Sequence, residues 1–291
     1  MLRFFIKKLK NFLVYVRIVK DLISFKRVAY KGKKMKTFCF TVDDNIRFFK
    51  EIMENDYKSI FDHPYLAVYK RLHLKFNLKV QLNLFYEMQD FNLSLFSDKY
   101  KTEWQNNSDW LKLSFHSKRE NVKPYEFSDY SEVYEDCKAV NSEIERFAGL
   151  SSLAKTTTIH YCLTTQEGLK ALTDNNVRGL LGLFGSQQTP RTSYNIDVED
   201  ASKIRNGGIV KIGNTHFSGI DIVLNNFSTQ DIIKQLTDLI VHNNIKVMIH
   251  EQYFYKDYIR YQPDFEEKLY QTFEFLINNN YKSSFLEEVI E

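Results

Sequence analysis

Residues 36–46 read KTFCFTVDDNI, a run of β-branched and aromatic side chains that stops abruptly on two adjacent acids. Asp is a poor strand former, and successive side chains of a strand point to opposite faces. Asp43 and Asp44 must therefore face opposite ways or mark the place where a strand becomes a loop. In α/β proteins that boundary is where chemistry collects.

Working outward, short apolar runs alternate with helical stretches, the signature of parallel β/α units. Candidate strands fall at 36–43, 79–86, 111–115, 156–162, 177–184, 219–224 and 246–250. Seven such units predict an α/β barrel. Thr164 with Glu167, and Ser228 with Asp231, have the spacing of helix-start capping boxes. A last helix is expected after Pro263 and Asp264, with Phe265, Leu269, Phe273, Leu276 and Ile277 inward. Between Gly185 and Gly208 a polar stretch reads as a lid or binding loop, and a hairpin follows that turns at Gly213-Asn214.

Composition narrows the class. The chain has 291 residues, 43% of them apolar and 26% charged, so it folds and buries a core, and 24 Phe and 18 Tyr against 4 Pro point to aromatic-rich packing or glycan-facing surfaces. Cys39, Cys137 and Cys162 form no CxxC pair, which argues against a disulfide scaffold and a thiolate zinc site. The net charge of +3 is unevenly placed. Residues 1–34 hold 11 Lys or Arg and one acid, leaving 29 basic against 36 acidic residues, a charge of −7, in the remainder.

That basic segment lacks the uninterrupted apolar stretch of a secretory signal or a membrane span. On a helical wheel Arg3, Lys7, Lys10, Arg17, Lys20 and Ser24 oppose Phe5, Leu9, Phe12, Val16, Val19 and Ile23. It reads as an amphipathic basic helix over 1–34, followed by a single domain over 35–291. Docking on the domain and peripheral contact with an anionic membrane face are both open to it. No nucleic-acid motif accompanies it, and nucleic acid is not an expected partner.

Three candidate strands end on groups suited to metal or proton chemistry: Asp43-Asp44, His116 and His250. Parallel strands expose their C-terminal ends on one rim, so these groups can converge. In FHSKRE, His116 and Glu120 are four apart and face one way if the chain turns helical there. An acid, an imidazole and a second acid form a site of mixed N and O ligands for a divalent metal. Taken singly, each has a plainer role: an N-cap for the Asp pair, a solvated pair for His116 and Glu120, a hydrogen-bonded core histidine for His250 and for His160. His63, His73, His216 and His242 read as surface residues, and Asp221 is unassigned.

Together these motifs resemble the polysaccharide deacetylases with NodB homology, metal-dependent carbohydrate esterases on a distorted (β/α)7 barrel. FTVDDN is similar to the Thr-Phe-Asp-Asp-Gly motif of that family, FHSKRE to its His-Ser-x-x-His, and Met248 to His250 to its Leu-x-His. The resemblance spans roughly residues 36–290. It implies Asp43 as general base, Asp44 and His116 as metal ligands, and His250 as general acid. Glu120 stands where the family has a second histidine, and zinc is the expected ion. Asn45 replaces a glycine, taken as a mild change at positive φ. The family's Arg-x-Pro-Tyr motif has no match; TTTIHYCL offers His160 instead, so whatever orients the base must come from elsewhere.

His160, Arg191 and Tyr253 are the expected substrate contacts, with Tyr194, Phe254 and Tyr255 available to stack on a sugar ring. The expected activity is hydrolysis of an amide or ester acyl group on a carbohydrate intermediate in the cytoplasm, at the membrane face if the basic helix binds there. The alternative is a non-catalytic, glycan-binding relative.

Overall fold

The computed structural model describes residues 35–121, 123–185 and 192–290. The expected N-terminal helix and Arg191 lie outside the described residues. In chain order the strands are β1 (Thr37–Asn45), β2 (Val80–Phe85), the short ribbon β3 (Glu87–Met88) and β4 (Phe91–Asn92), β5 (Leu111–Ser117), β6 (Thr156–Thr157), β7 (Gly179–Gly182), β8 (Ile209–Ile212), β9 (Thr215–Gly219), β10 (Ile222–Val223), β11 (Asn244–His250) and β12 (Lys282–Ser283). The helices are α1 (Arg47–Glu54), α2 (Pro64–Phe76), α3 (Lys101–Asn106), α4 (Tyr130–Phe147), α5 (Gln166–Asp174), α6 (Val198–Arg205), α7 (Thr229–Leu239), α8 (Phe265–Asn278) and α9 (Leu286–Ile290).

One sheet runs β10-β11-β1-β2-β5, with β12 beside the start of β1; a second runs β6-β7-β9-β8. All the barrel ladders are parallel. Two seams join the sheets. At one, a single bridge links Leu113 to Leu153, and Ala154 N–H donates to the Leu113 carbonyl at 2.8 Å. At the other, the chain bends between β9 and β10: Ile220 N–H donates to Gly182 of β7 and Asp221 N–H to Lys246 of β11. Counting β9–β10 as one bent strand gives the seven expected, in a distorted barrel.

The main strands alternate, with apolar side chains on the outer face against the helices and polar ones on the inner face. Phe38 and Phe40 of β1 pack on Phe273 of α8, ring centroids 5.6 and 4.9 Å away. Inside the barrel the contacts are polar. The Gln81 amide donates to Asn83 Oδ1 and to the Thr156 carbonyl, both at 2.8 Å, and Ser114 Oγ also donates to Asn83 Oδ1. Each of these groups is buried and hydrogen-bonded, as a low-dielectric interior demands.

Local expectations meet mixed outcomes. The hairpin is present: Ile212 pairs with Thr215 across Gly213-Asn214, and Gly213 has φ +59°. The expected strand 156–162 stops after Thr157, because Tyr161 (φ +64°) and Cys162 (φ +58°) adopt left-handed backbone and fold 160–162 into a tight turn. The cap of α5 is Thr165, whose side chain accepts from Gly168 N–H, rather than Thr164; Ser228 does cap α7. The polar stretch after Gly185 contains α6, capped by Asp197 and burying only Ala201 and Ile204, too few apolar residues to register as a periodic face. His63 is buried, not on the surface: it caps α2 and its Nε2 lies 2.8 Å from Glu51. Asp221 pairs with the buried Lys246 at 2.9 Å.

Phe273 of α8 is fully buried against β1. Phe273→Ala is expected to lower unfolding free energy by about 3–5 kcal/mol through lost burial and the cavity left behind, measured by urea denaturation followed by circular dichroism.

Candidate metal centre and acid–base pair

The chain ends β1 by breaking its own alternation. Asp44 has φ +65°, and the β1–β2 register shifts between Val42 and Asn45. The left-handed residue turns the second acid back toward the side the first one faces, so both reach the same rim. Asn45 is therefore not the positive-φ residue that a glycine match implied. Its amide donates to the Val42 carbonyl at 2.6 Å, and its Oδ1 accepts from the Tyr65 hydroxyl at 2.6 Å, which locks the turn.

A second lock comes from the far end of the chain. The first turn of α1 has no side-chain cap of its own. Glu251, next to His250, accepts hydrogen bonds from the backbone N–H of Ile46 (2.7 Å), Arg47 (3.1 Å) and Phe48 (2.9 Å), and from the Tyr255 hydroxyl (2.7 Å). Burial pushes the Glu251 carboxyl up, while these four donors oppose it. One carboxylate thus satisfies the open N-terminus of a helix and ties the end of β1 to the end of β11.

Asp44, His116 and His160 bring one potential ligand atom each within 4.8 Å of one another. His116 Nε2 lies 3.0 Å from Asp44 Oδ1 and 3.2 Å from His160 Nδ1, and His160 Nδ1 is 3.5 Å from Asp44 Oδ1. The outward nitrogens are engaged elsewhere. His116 Nδ1 faces the Thr158 carbonyl, and His160 Nε2 lies 3.0 Å from the Glu120 carbonyl. A carbonyl only accepts, so each outer nitrogen carries a proton, which leaves the inner nitrogen as the one able to offer a lone pair to a cation. That is the orientation in which histidine ligates a cation, held by the outer hydrogen bond it needs. The donor set fits a divalent metal that takes imidazole and carboxylate.

Without a cation, the inner edge of His116 serves instead as a hydrogen-bond donor to Asp44. Burial works to raise Asp44, yet the hydrogen bonds from His116 and His160 outweigh it and hold its carboxyl well below the usual range. Burial disfavours a charge on His116, but Asp43, Asp44 and the Thr158 carbonyl together raise its pKa. Without a cation, a proton answers the two carboxylates.

Glu120 is not in the cluster. The helix that would have stacked it over His116 does not form: β5 runs through Ser117 and the next helix starts at Tyr130. Its carboxylate reaches toward Gln252 at 3.4 Å, and burial with the nearby Asp44 charge raises its pKa. His160, expected as a substrate contact, occupies the third corner because the turn at Tyr161-Cys162 swings it inward.

Asp43 and His250 are register partners on adjacent strands. Asp43 Oδ1 accepts from the Asn83 amide at 2.6 Å, and its Oδ2 is 4.0 Å from His116 Nδ1. Burial pushes the Asp43 carboxyl up against the opposing pull of His116, His250 and Asn83. His250 Nδ1 is 2.8 Å from Asn225 Oδ1, which leaves Nε2 to exchange protons. The ring of Tyr253 stands 6.1 Å from the ring of His250. Tyr194 and Tyr255 are buried, and Tyr255 serves the Glu251 lock. Beside the cluster opens a cavity of about 310 Å³, lined by Asp44, Phe85, Glu87, Arg119, Gln252 and Tyr258 among others. Sequence reasoning missed Asn83, Asn225 and Glu251. The QLNLF alternation of polar and apolar residues in a strand buried on both faces was the signal for Asn83.

No family model matches the chain, and no curated protein matches it in sequence. Solved structures do match. A CE4 family pseudoenzyme from Bacillus anthracis superposes with TM-score 0.53 at 10% identity, over 89% of this chain and 67% of that one. A family 4 acetyl xylan esterase from Clostridium thermocellum in complex with a cobalt ion has TM-score 0.50 at 12% identity, over 88% and 90%. A 4-alpha-glucanotransferase from Thermococcus litoralis has TM-score 0.58 at 11% identity, over 88% of this chain and 40% of that one. The fold is therefore the (β/α)7 barrel of the polysaccharide deacetylase type, and a glucanotransferase that shares it shows that the fold does not by itself select the reaction.

Removing one corner of the cluster tests its membership. His160→Ala is expected to weaken Co²⁺ or Zn²⁺ binding to chelator-stripped protein by more than the roughly 10–100-fold typical of losing a supporting partner, while Glu120→Ala stays near wild type. Isothermal titration calorimetry reads both; the reverse order would place Glu120 in the site. Glu251→Ala leaves three backbone donors unpaired at roughly 1–3 kcal/mol each, and should destabilise the fold more than Phe273→Ala does if no water replaces the carboxylate.

Proposed function

We propose that the chain is a divergent polysaccharide deacetylase, a metal-dependent hydrolase that removes an acyl group from an amide or ester on a carbohydrate. The observation that carries this reading is the convergence on Asp44 of two imidazoles, each with its outer nitrogen held by a carbonyl, while a second carboxylate and a third imidazole stand side by side on the same rim. Asp44, His116 and His160 would hold the cation. Bound there, it supplies Lewis-acid polarisation of the acyl carbonyl and a more acidic water.

The chain's own groups handle the protons. Asp43, held by the Asn83 amide, accepts the proton of the attacking water; its raised pKa makes it a stronger base than a solvated aspartate. His250, its Nδ1–H fixed by Asn225, donates from Nε2 to the departing amine or alcohol. The cavity beside Asp44 receives the acylated sugar, and Tyr253 flanks the leaving group. A cytoplasmic biosynthetic intermediate is the substrate this reading favours, and the basic 1–34 segment would hold the enzyme at the membrane face. No described helix is long and apolar enough to cross a membrane.

A non-catalytic, glycan-binding role is supported by one specific feature. The donor that holds Asp43 is a neutral amide where the family motif supplies an arginine, and one fold neighbour is itself a pseudoenzyme. Turnover decides. With Co²⁺-loaded protein and acetylated chitin oligosaccharides or aryl acetates, wild type should release acetate, and Asp43→Asn should lower kcat by about 10²–10⁴-fold with metal binding retained. Stoichiometric metal without acetate release from any substrate would favour the binding role. Deleting residues 1–34 should abolish sedimentation with anionic vesicles while leaving that activity; unchanged sedimentation removes the membrane reading.

A further inference from the structure

At the opposite end of the barrel, where the strands begin, a cavity of about 510 Å³ is lined by Lys155, Arg178, Lys211 and His216, with Glu287 the one carboxylate. Their positions are set by backbone pairing across four neighbouring strands. Arg178 N–H donates to the Lys155 carbonyl at 2.7 Å just before β6 and β7, His216 N–H to the Arg178 carbonyl at 2.9 Å, and His216 is the register partner of Lys211 across the β8–β9 hairpin. Adjacent strands lie about 4.8 Å apart, so these cationic side chains are crowded along one edge.

Like charges so placed repel unless something answers them. Among the described residues, Lys155, Arg178 and Lys211 form no ion pair. Glu287 is engaged already, accepting from Lys112 Nζ at 2.6 Å and from the Lys155 backbone N–H at 2.7 Å. Arg178 donates to the Thr173 carbonyl at 3.0 Å, which orients its guanidinium. His216 Nδ1 is buried and has no hydrogen-bond partner. With that atom shut off from solvent, His216 contributes wall to the cavity, and the three cations contribute the charge. The crowding is local: residues 35–291 carry net negative charge, so the cations are not part of a generally basic surface.

We infer that this cavity is a second binding site, for a phosphate group. A planar guanidinium with two ammonium groups matches the oxygens and double charge of a phosphate monoester, and the volume leaves room for what the phosphate is attached to. The site lies away from the acid–base rim, and its existence does not depend on the reaction there.

The test uses the full chain and inorganic phosphate, against chloride at matched ionic strength. Phosphate should raise the Tm of wild type saturably and do the same in Asp44→Ala, whose rim cluster is disabled. The rise should vanish in Arg178→Ala/Lys211→Ala. Should that double variant fail to fold, Lys211→Glu, on the exposed hairpin, puts a carboxylate into the cavity and should abolish the rise alone. No rise beyond chloride, an equal rise in the variants, or a rise lost in Asp44→Ala overturns the proposal. Given the rise, sedimentation with phosphatidic acid vesicles, whose headgroup is a phosphate monoester, identifies the source. Weaker sedimentation of the double variant assigns a lipid headgroup, and unchanged sedimentation assigns a soluble phosphate ester.

Discussion

Everything on the rim depends on one backbone rotation. A strand that kept its pleat through Asp44 would send one carboxylate into the barrel and the other toward the covering helices, where a buried charge has no partner. The left-handed φ at Asp44 gives both acids to the same side. That conformation is unfavourable for an L-residue and persists only where its surroundings over-determine it. Here they do: Asn45 with Tyr65 on one flank, and Glu251 with three backbone donors on the other.

The division of labour between the acids follows from what each side chain meets. Asp44 faces two imidazoles and stays ionised; Asp43 is pushed toward the proton by burial, which the Asn83 amide opposes. Two neighbouring carboxylates with opposite displacements are the pattern of a site that separates charge stabilisation from proton transfer. His250 also leans on a neutral amide, that of Asn225. Asp43 and His250 are thus each oriented by a neutral amide, Asn83 for one and Asn225 for the other.

What could be read beforehand follows from which signals are local. Strand periodicity, and the acids and imidazoles that close three strands, located the sheet and the rim on which Asp43, Asp44, His116 and His250 lie, although the strand expected at 156–162 is only Thr156–Thr157. The hairpin at Gly213-Asn214 was legible because a two-residue turn has its own residue preferences. That His160 lies with Asp44 and His116 was not legible, since its direction depends on left-handed backbone at Tyr161 and Cys162, two residue types that do not advertise it. Glu120 was drawn in by a helical spacing that the chain does not use. Asn83, Asn225 and Glu251 act through partners 25 to 205 residues away, a pairing no local pattern encodes.

The seam between β5 and β6 gives the trio a mechanical meaning as well. Asp44 and His116 belong to one hydrogen-bonded sheet, while His160 follows the first strand of the other, and the backbone ties those sheets at this place by a single bridge. Whatever unites the three side chains therefore also rivets two halves of the wall that the main chain leaves only loosely stitched. Loading the rim and stiffening the scaffold become one event, and the tightness of the ring is inherited from its cargo.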